Sequence, residues 1–130
     1  MTEPDIGPEL VQLLTPDGRR VAHPRYDERV AHLDAAALRA MHRDMVLARR
    51  FDTEATALQR QGELALFAPA LGQEGAQIGS ARALAPQDMV FPSYREHGVL
   101  QVRGVDPVDV LSLFRGIDYG GWDPTATGVH

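Results

Sequence analysis

The stretch DAAALRAMHRDMVLARRFDTEATALQRQG, from Asp34 to Gly62, decides how this chain folds. Apolar or small side chains recur at Leu38, Met41, Met45, Ala48, Phe51, Ala55 and Leu58, in steps of three or four. Such steps place them on one face of an α-helix. Asp34 has the side chain of an N-cap and Gly62 suits the position just past a helix end. The spacing predicts a helix from about Ala35 to Gln61. Arg39, Arg43, Arg49, Arg50, Glu54 and Arg60 point in other directions and read as its solvated side.

Towards the C-terminus, Glu63 to Ala68 is a short apolar stretch stopped by Pro69. Residues 72–84 read as a second helix carrying much glycine, although each interior Gly costs roughly 1 kcal/mol against Ala. Gly72, Gly75, Ala76, Gly79 and Ala83 share one side of it. A strip without bulk lets another backbone or a ligand approach closely, and tight helix–helix packing is the expectation. Asp88-Met89-Val90-Phe91-Pro92-Ser93 reads as a short strand, kept to an edge or strand end by Pro92. A brief helix near Val99 to Val102 ends at Gly104. Asp106-Pro107-Val108-Asp109 starts another, with a capping Asp, Pro at the first position and acid in the first turn. Leu111 and Phe114 supply its buried side and Gly116 ends it. Residues 117–130 read as a loop. Towards the N-terminus, residues 1–33 hold Pro, Gly and charge without period and read as a flexible arm.

The whole has 130 residues, 44 % hydrophobic and 24 % charged, the make-up of one small globular domain. No apolar run approaches the ~20 residues of a membrane span, and Met1 opens no secretory signal, so a cytoplasmic chain is expected. A net charge of −5 argues against a nucleic-acid or membrane-surface binder. Cysteine is absent, which excludes disulfides and a thiol nucleophile. All 13 basic residues are Arg, so Schiff-base chemistry and a P-loop lysine are excluded. An anion site here must use Arg, His or backbone N–H groups.

Ser93-Tyr94-Arg95-Glu96-His97 is the segment best equipped for that task. A guanidinium offers a planar fork of donors and a neighbouring phenol adds one more, a pairing suited to phosphate. His97 is either an acid–base group or a structural residue. His23, His32, His42, His97 and His130 are scattered and form no metal-ligand pattern. No nucleophile elbow, dinucleotide fingerprint or Walker loop occurs.

Four segments, Gln61-Gly62-Glu63-Leu64-Ala65-Leu66, Phe67-Ala68-Pro69-Ala70-Leu71-Gly72-Gln73-Glu74-Gly75, Val90-Phe91-Pro92-Ser93-Tyr94-Arg95-Glu96-His97-Gly98 and Arg103-Gly104-Val105-Asp106-Pro107, occur in order. Together they resemble the alpha subunit of the thiamine-diphosphate-dependent E1 component of 2-oxo acid dehydrogenase complexes. Phe114-Arg115-Gly116 with Gly120-Gly121-Trp122-Asp123-Pro124 is most similar to the bacterial branched-chain members, and the pyruvate type stays open. The resemblance covers about residues 35–130. It implies the N-terminal part of an α/β thiamine-diphosphate-binding fold, mainly α here with one or two short strands, so that 1–33 is an arm and 34–130 an incomplete cofactor-binding domain.

The resemblance further implies decarboxylation of a 2-oxo acid on thiamine diphosphate and transfer of the acyl group to the lipoyl domain of E2. It implies an α2β2 assembly with an E1 beta subunit, the alpha subunit gripping the diphosphate and Mg²⁺. Tyr94 and Arg95 match the pair that contacts the diphosphate. Phe67 matches an aromatic position beside the substrate pocket, and Ala68 stands where animal pyruvate-type members carry His. Glu74 reads as structural. His97 and His130 match common family positions without an assigned role. The Gly-Asp-Gly motif that binds Mg²⁺ in the family is absent, so the chain alone is expected to be inactive. The alternative from another class is a non-catalytic helical interaction module that binds a beta subunit or self-associates through the Gly72–Ala83 strip and the Leu38–Leu58 face.

Overall fold

The computed structural model describes residues 11–116. It divides into two units, Met1–Ala36 and Ala37–His130. In the first, a tight turn over Thr15 to Arg19 brings Leu14 against Arg20 in an isolated antiparallel bridge. Thr15 closes that turn, its hydroxyl accepting from the Arg19 N–H at 2.9 Å. Asp27 opens a single helical turn, α1 (Asp27–Val30), and its carboxylate accepts the His23 N–H at 3.0 Å. The aperiodic sequence carried no sign of this local structure, which rests on side-chain-to-backbone bonds.

The predicted long helix forms as α2 (Ala35–Arg60), about 39 Å long at the helical rise, and all but its first two residues belong to the second unit. Ala55 is fully buried, Met41, Met45, Ala48, Phe51 and Leu58 are half-buried, and Leu38 is exposed. Gly62, at φ +82°, ends it: the Gly62 N–H donates to Gln59 and the Glu63 N–H to Leu58. The same pair of bonds ends α4 (His97–Val102), where Gly104 donates to Gln101 and Val105 to Leu100. Each set satisfies carbonyls that a helix end leaves open. Between them lies α3 (Glu74–Ala83), packed on α4. The last helix, α5 (Pro107–Leu113), starts as its sequence predicts, the Asp106 carboxylate accepting the Val108 N–H at 2.7 Å.

Two findings correct the sequence reading. The run Asp88–Ser93 forms no strand. A strand needs a ladder partner, and among the described residues the backbone of Met89, Val90 and Phe91 makes no hydrogen bond. Arg103 holds the segment instead, donating to the carbonyls of Ala85, Pro86 and Asp88 at 3.0–3.2 Å. The described residues are therefore mainly α, with no strand. The glycine strip of α3 is also not the packed side. Gln77, Ile78 and Ala81 are buried, whereas Gly75, Ala76 and Ala83 are exposed. The close approach falls at Gly98 on α4, where an added Cβ would lie 3.0 Å from the Gln77 side-chain oxygen and 3.3 Å from Ile78.

Polar groups tie the helices. Asp44 and Asp52 sit on the buried side of α2, only 6 % and 5 % exposed. Asp44 pairs with Arg82 of α3, and its carbonyl accepts from Gln101 of α4 at 3.0 Å. Arg49 pairs with Glu74 at the start of α3. The core is formed by Ala55, Leu64 and Phe67, with Phe51, Leu58, Leu111 and Phe114 packed against it. Among the described residues no helix is long and apolar enough to cross a membrane.

Candidate functional site

Two irregular segments meet beside the core: the loop Phe67–Gln73 and the turn Ser93–Gly98. Three successive loop residues are each anchored. The Ala68 carbonyl accepts from His97 Nε2 at 3.2 Å, the Pro69 carbonyl accepts from the Arg95 guanidinium, and the Ala70 N–H donates to Asp52 Oδ1 at 2.5 Å. The turn is closed on itself by Ser93, whose N–H and hydroxyl both donate to Glu96 Oε2 at 2.7 Å. Those bonds hold the Glu96 carboxyl below its ordinary range. The charged carboxylate is thereby committed to Ser93.

Tyr94 stands at the tip of this turn, 66 % exposed. The Arg95 guanidinium carbon lies 5.5 Å from the centre of its ring, a cation–π contact. The structure thus brings together the two residues singled out for an anion. Among the described residues Arg95 has no carboxylate partner, and its only side-chain hydrogen bond is the one to Pro69. An uncompensated guanidinium with donors to spare, beside an exposed phenol, fits the diphosphate of a coenzyme. The residues do not fit a metal: among those described, no group of three His, Asp or Glu could hold one.

His97 is buried behind the pair, 7 % exposed. Its ring stacks on Phe67 at 5.0 Å and meets Phe114 edge-on at 5.3 Å and Phe51 at 5.7 Å. Burial lowers its pKa, so the imidazole is neutral at neutral pH. A carbonyl can only accept, so the proton sits on Nε2. His97 is a structural ring here and not an exposed acid or base. Phe67 was expected beside a pocket; it is 3 % exposed and lies in the core, while its neighbour Leu66 is 73 % exposed. The chain turns so that Leu64 and Phe67 point inward, which the apolar run could not reveal because all its side chains qualify. A crevice of about 10 Å³ touches Asp52, Ala70, Gln77 and His97, about enough for one water. A hollow of about 440 Å³ lies under residues 84–92 and does not include Tyr94, Arg95 or Phe67.

Glu74 accepts the Gly72 N–H at 3.0 Å and pairs with Arg49, which lowers its pKa to about 2. Both carboxylate oxygens are spent on holding the loop, in keeping with a structural role. Sequence reasoning missed Asp52 and Gln77. The signal for Asp52 was present: it occupies a core-facing register of α2 next to Phe51 and Ala55, where a carboxylate must have a buried partner. Gln77 gave none, since a glutamine on a helix is ordinarily solvated. His130 and Gly120-Gly121-Trp122-Asp123-Pro124 lie outside the described residues.

Comparison with known proteins supplies the family. The model of the dehydrogenase E1 component matches residues 42–126. The 3-methyl-2-oxobutanoate dehydrogenase subunit alpha of Mycobacterium tuberculosis (strain CDC 1551 / Oshkosh) is 48 % identical over 113 residues, covering 87 % of this chain and 30 % of that one. The pyruvate dehydrogenase E1 component subunit alpha of Acholeplasma laidlawii is 40 % identical over 97 residues, 75 % of this chain and 28 % of the other. The mitochondrial 2-oxoisovalerate dehydrogenase subunit alpha 2 of Arabidopsis thaliana is 48 % identical over 64 residues, 49 % of this chain and 14 % of its own length. No solved structure matches. The chain spans about 30 % of the length of the curated relatives first matched. With a family match running through both anchored segments, this chain belongs to the thiamine-diphosphate-dependent dehydrogenase E1 component family.

Proposed function

We propose that this chain is the part of an E1 alpha subunit that grips the diphosphate of thiamine diphosphate, in an enzyme that oxidatively decarboxylates a branched-chain 2-oxo acid and passes the acyl group to the lipoyl domain of E2. The observation that carries the proposal is the exposed Tyr94 phenol paired at 5.5 Å with an Arg95 guanidinium that no carboxylate among the described residues neutralises. The bound coenzyme supplies the electron sink for decarboxylation. The protein's residues bind and orient it. Arg95 would donate to phosphate oxygens, Tyr94 would add a hydroxyl donor, and Glu96 is kept from competing because Ser93 holds it. Phe67 contributes from behind, as the buried backing on which His97 is stacked. In this reading residues 34–130 belong to the cofactor-binding domain and 1–33 to an arm. Mg²⁺ takes its ligands from outside the described residues, and the E1 beta subunit completes the site.

A pyruvate substrate is the second reading, favoured by the relative from Acholeplasma laidlawii. Ala68 removes a polar side chain from the loop and leans the pocket towards the branched-chain acid.

Calorimetric titration of the chain, assembled with an E1 beta subunit, with thiamine diphosphate in the presence of Mg²⁺ tests the grip. A charge-assisted hydrogen bond contributes about 1.5–3 kcal/mol, so Arg95→Ala is expected to weaken binding roughly 10- to 100-fold. Equal affinity in the variant and the unsubstituted chain would remove Arg95 from the site.

A further inference from the structure

The Tyr94–Arg95 turn is held from one side chain that neither the motif nor the family match singles out. Gln77 lies on the buried side of α3, 7 % exposed. Its Nε2 donates to the Arg95 carbonyl at 3.1 Å and to Gln73 Oε1 at 3.1 Å, and its Oε1 accepts the Gly98 N–H at 2.9 Å. The chemistry fixes which way the amide points. The Gly98 N–H can only donate and the Arg95 carbonyl can only accept, so a flipped amide would lose both bonds. One planar group therefore spans the backbone from Arg95 to Gly98.

Two further facts show that this bracket is built into the fold. Glu96 at the N-terminal end of α4 makes no side-chain capping bond, so the open Gly98 N–H is satisfied from α3. Gly98 has no side chain to spare: a Cβ there would stand 3.0 Å from Gln77 Oε1 and 3.2 Å from Gln77 Cβ. The bracket and the glycine require each other. The Arg95 carbonyl is on the same residue whose guanidinium reaches the Pro69 carbonyl, so Gln77 fixes the backbone from which that fork projects.

We infer that Gln77 is a positioning residue for the diphosphate grip: it sets the direction of the Arg95 fork by holding the Arg95–Gly98 backbone to α3. The inference rests on the diphosphate reading given above. A group that merely stabilised the fold would shift the melting midpoint and leave the affinity alone. A positioning group shifts the affinity beyond what lost stability explains.

The test uses the chain assembled with an E1 beta subunit and Mg²⁺, titrated with thiamine diphosphate and separately with inorganic pyrophosphate. Gln77→Met keeps the length and removes all three amide bonds, the two to backbone among them. Gln77→Glu keeps the acceptor for Gly98 and turns the donor facing Arg95 into a second acceptor. Val110→Ala, a core truncation on α5, is the stability control. Loss of two backbone bonds at the site predicts affinity for both titrants about tenfold weaker in Gln77→Met. Gln77→Glu weakens it too while leaving the Gly98 amide resonance hydrogen-bonded. Val110→Ala lowers the melting midpoint and binds like the unsubstituted chain. If Arg95→Ala loses affinity and both Gln77 variants do not, the inference is overturned and the diphosphate reading survives. If the unsubstituted chain binds neither titrant, or Arg95→Ala binds as well as it does, the diphosphate reading fails and takes this inference with it.

Discussion

Glu74 illustrates what a single carboxylate does when both its oxygens are engaged. Its side chain is 11 % exposed, one oxygen pairs with Arg49, and the other accepts the Gly72 N–H. The hydrogen-bonded Arg49 guanidinium is the main cause that lowers its pKa from 4.5 to about 2. Because the folded value is depressed, the unfolded chain takes up the proton first on acidification. The contribution of Glu74 to stability is complete above pH 4.5 and lost as the pH falls towards 2. Arg49 is 54 % exposed, so water screens the pair. Glu74→Gln is therefore expected to cost only about 1 kcal/mol near neutral pH and less than half of that at about pH 3, where the folded carboxylate is still mostly charged. Urea unfolding at the two pH values checks this; an unchanged difference between variant and parent at about pH 3 would disprove it.

The helices give opposite answers to the same substitution. Gly79 lies inside α3, and a Cβ there would meet nothing within 4 Å. Gly79→Ala is expected to raise stability by about 0.5–1 kcal/mol, from helix propensity and the reduced freedom of the unfolded chain. Gly98→Ala pushes a methyl into the Gln77–Ile78 contact and is expected to cost about 1–3 kcal/mol. Thermal melts of the two variants should move in opposite directions, and a shift in the same direction would refute the placement of α3 on α4. At this scale α2, its glycine stop and the capped start of α5 could be read directly, because periodicity and caps are local properties. The strand at Asp88–Ser93 was misread because its sequence is strand-like while a strand exists only with a neighbour. The bare face of α3 was misread because glycines show where bulk is missing, not which side is covered.

For the whole molecule, the proposed site was legible in part. Tyr94 and Arg95 were singled out from side-chain chemistry and motif, and these sequence neighbours make a cation–π contact on the turn. Their supports, Asp52, His97 and Gln77, come from three different elements. No local pattern marks a residue whose partner lies 18 to 29 positions away.

The imidazole of His97 is enclosed by the rings of Phe51, Phe67 and Phe114. Circulating π-electrons in these three rings displace the magnetic resonances of its carbon-bound protons from those of a histidine in water. The molecule thus carries its own spectroscopic gauge of folding, set directly behind the arginine turn, and any loosening there registers in a signal that needs no added label.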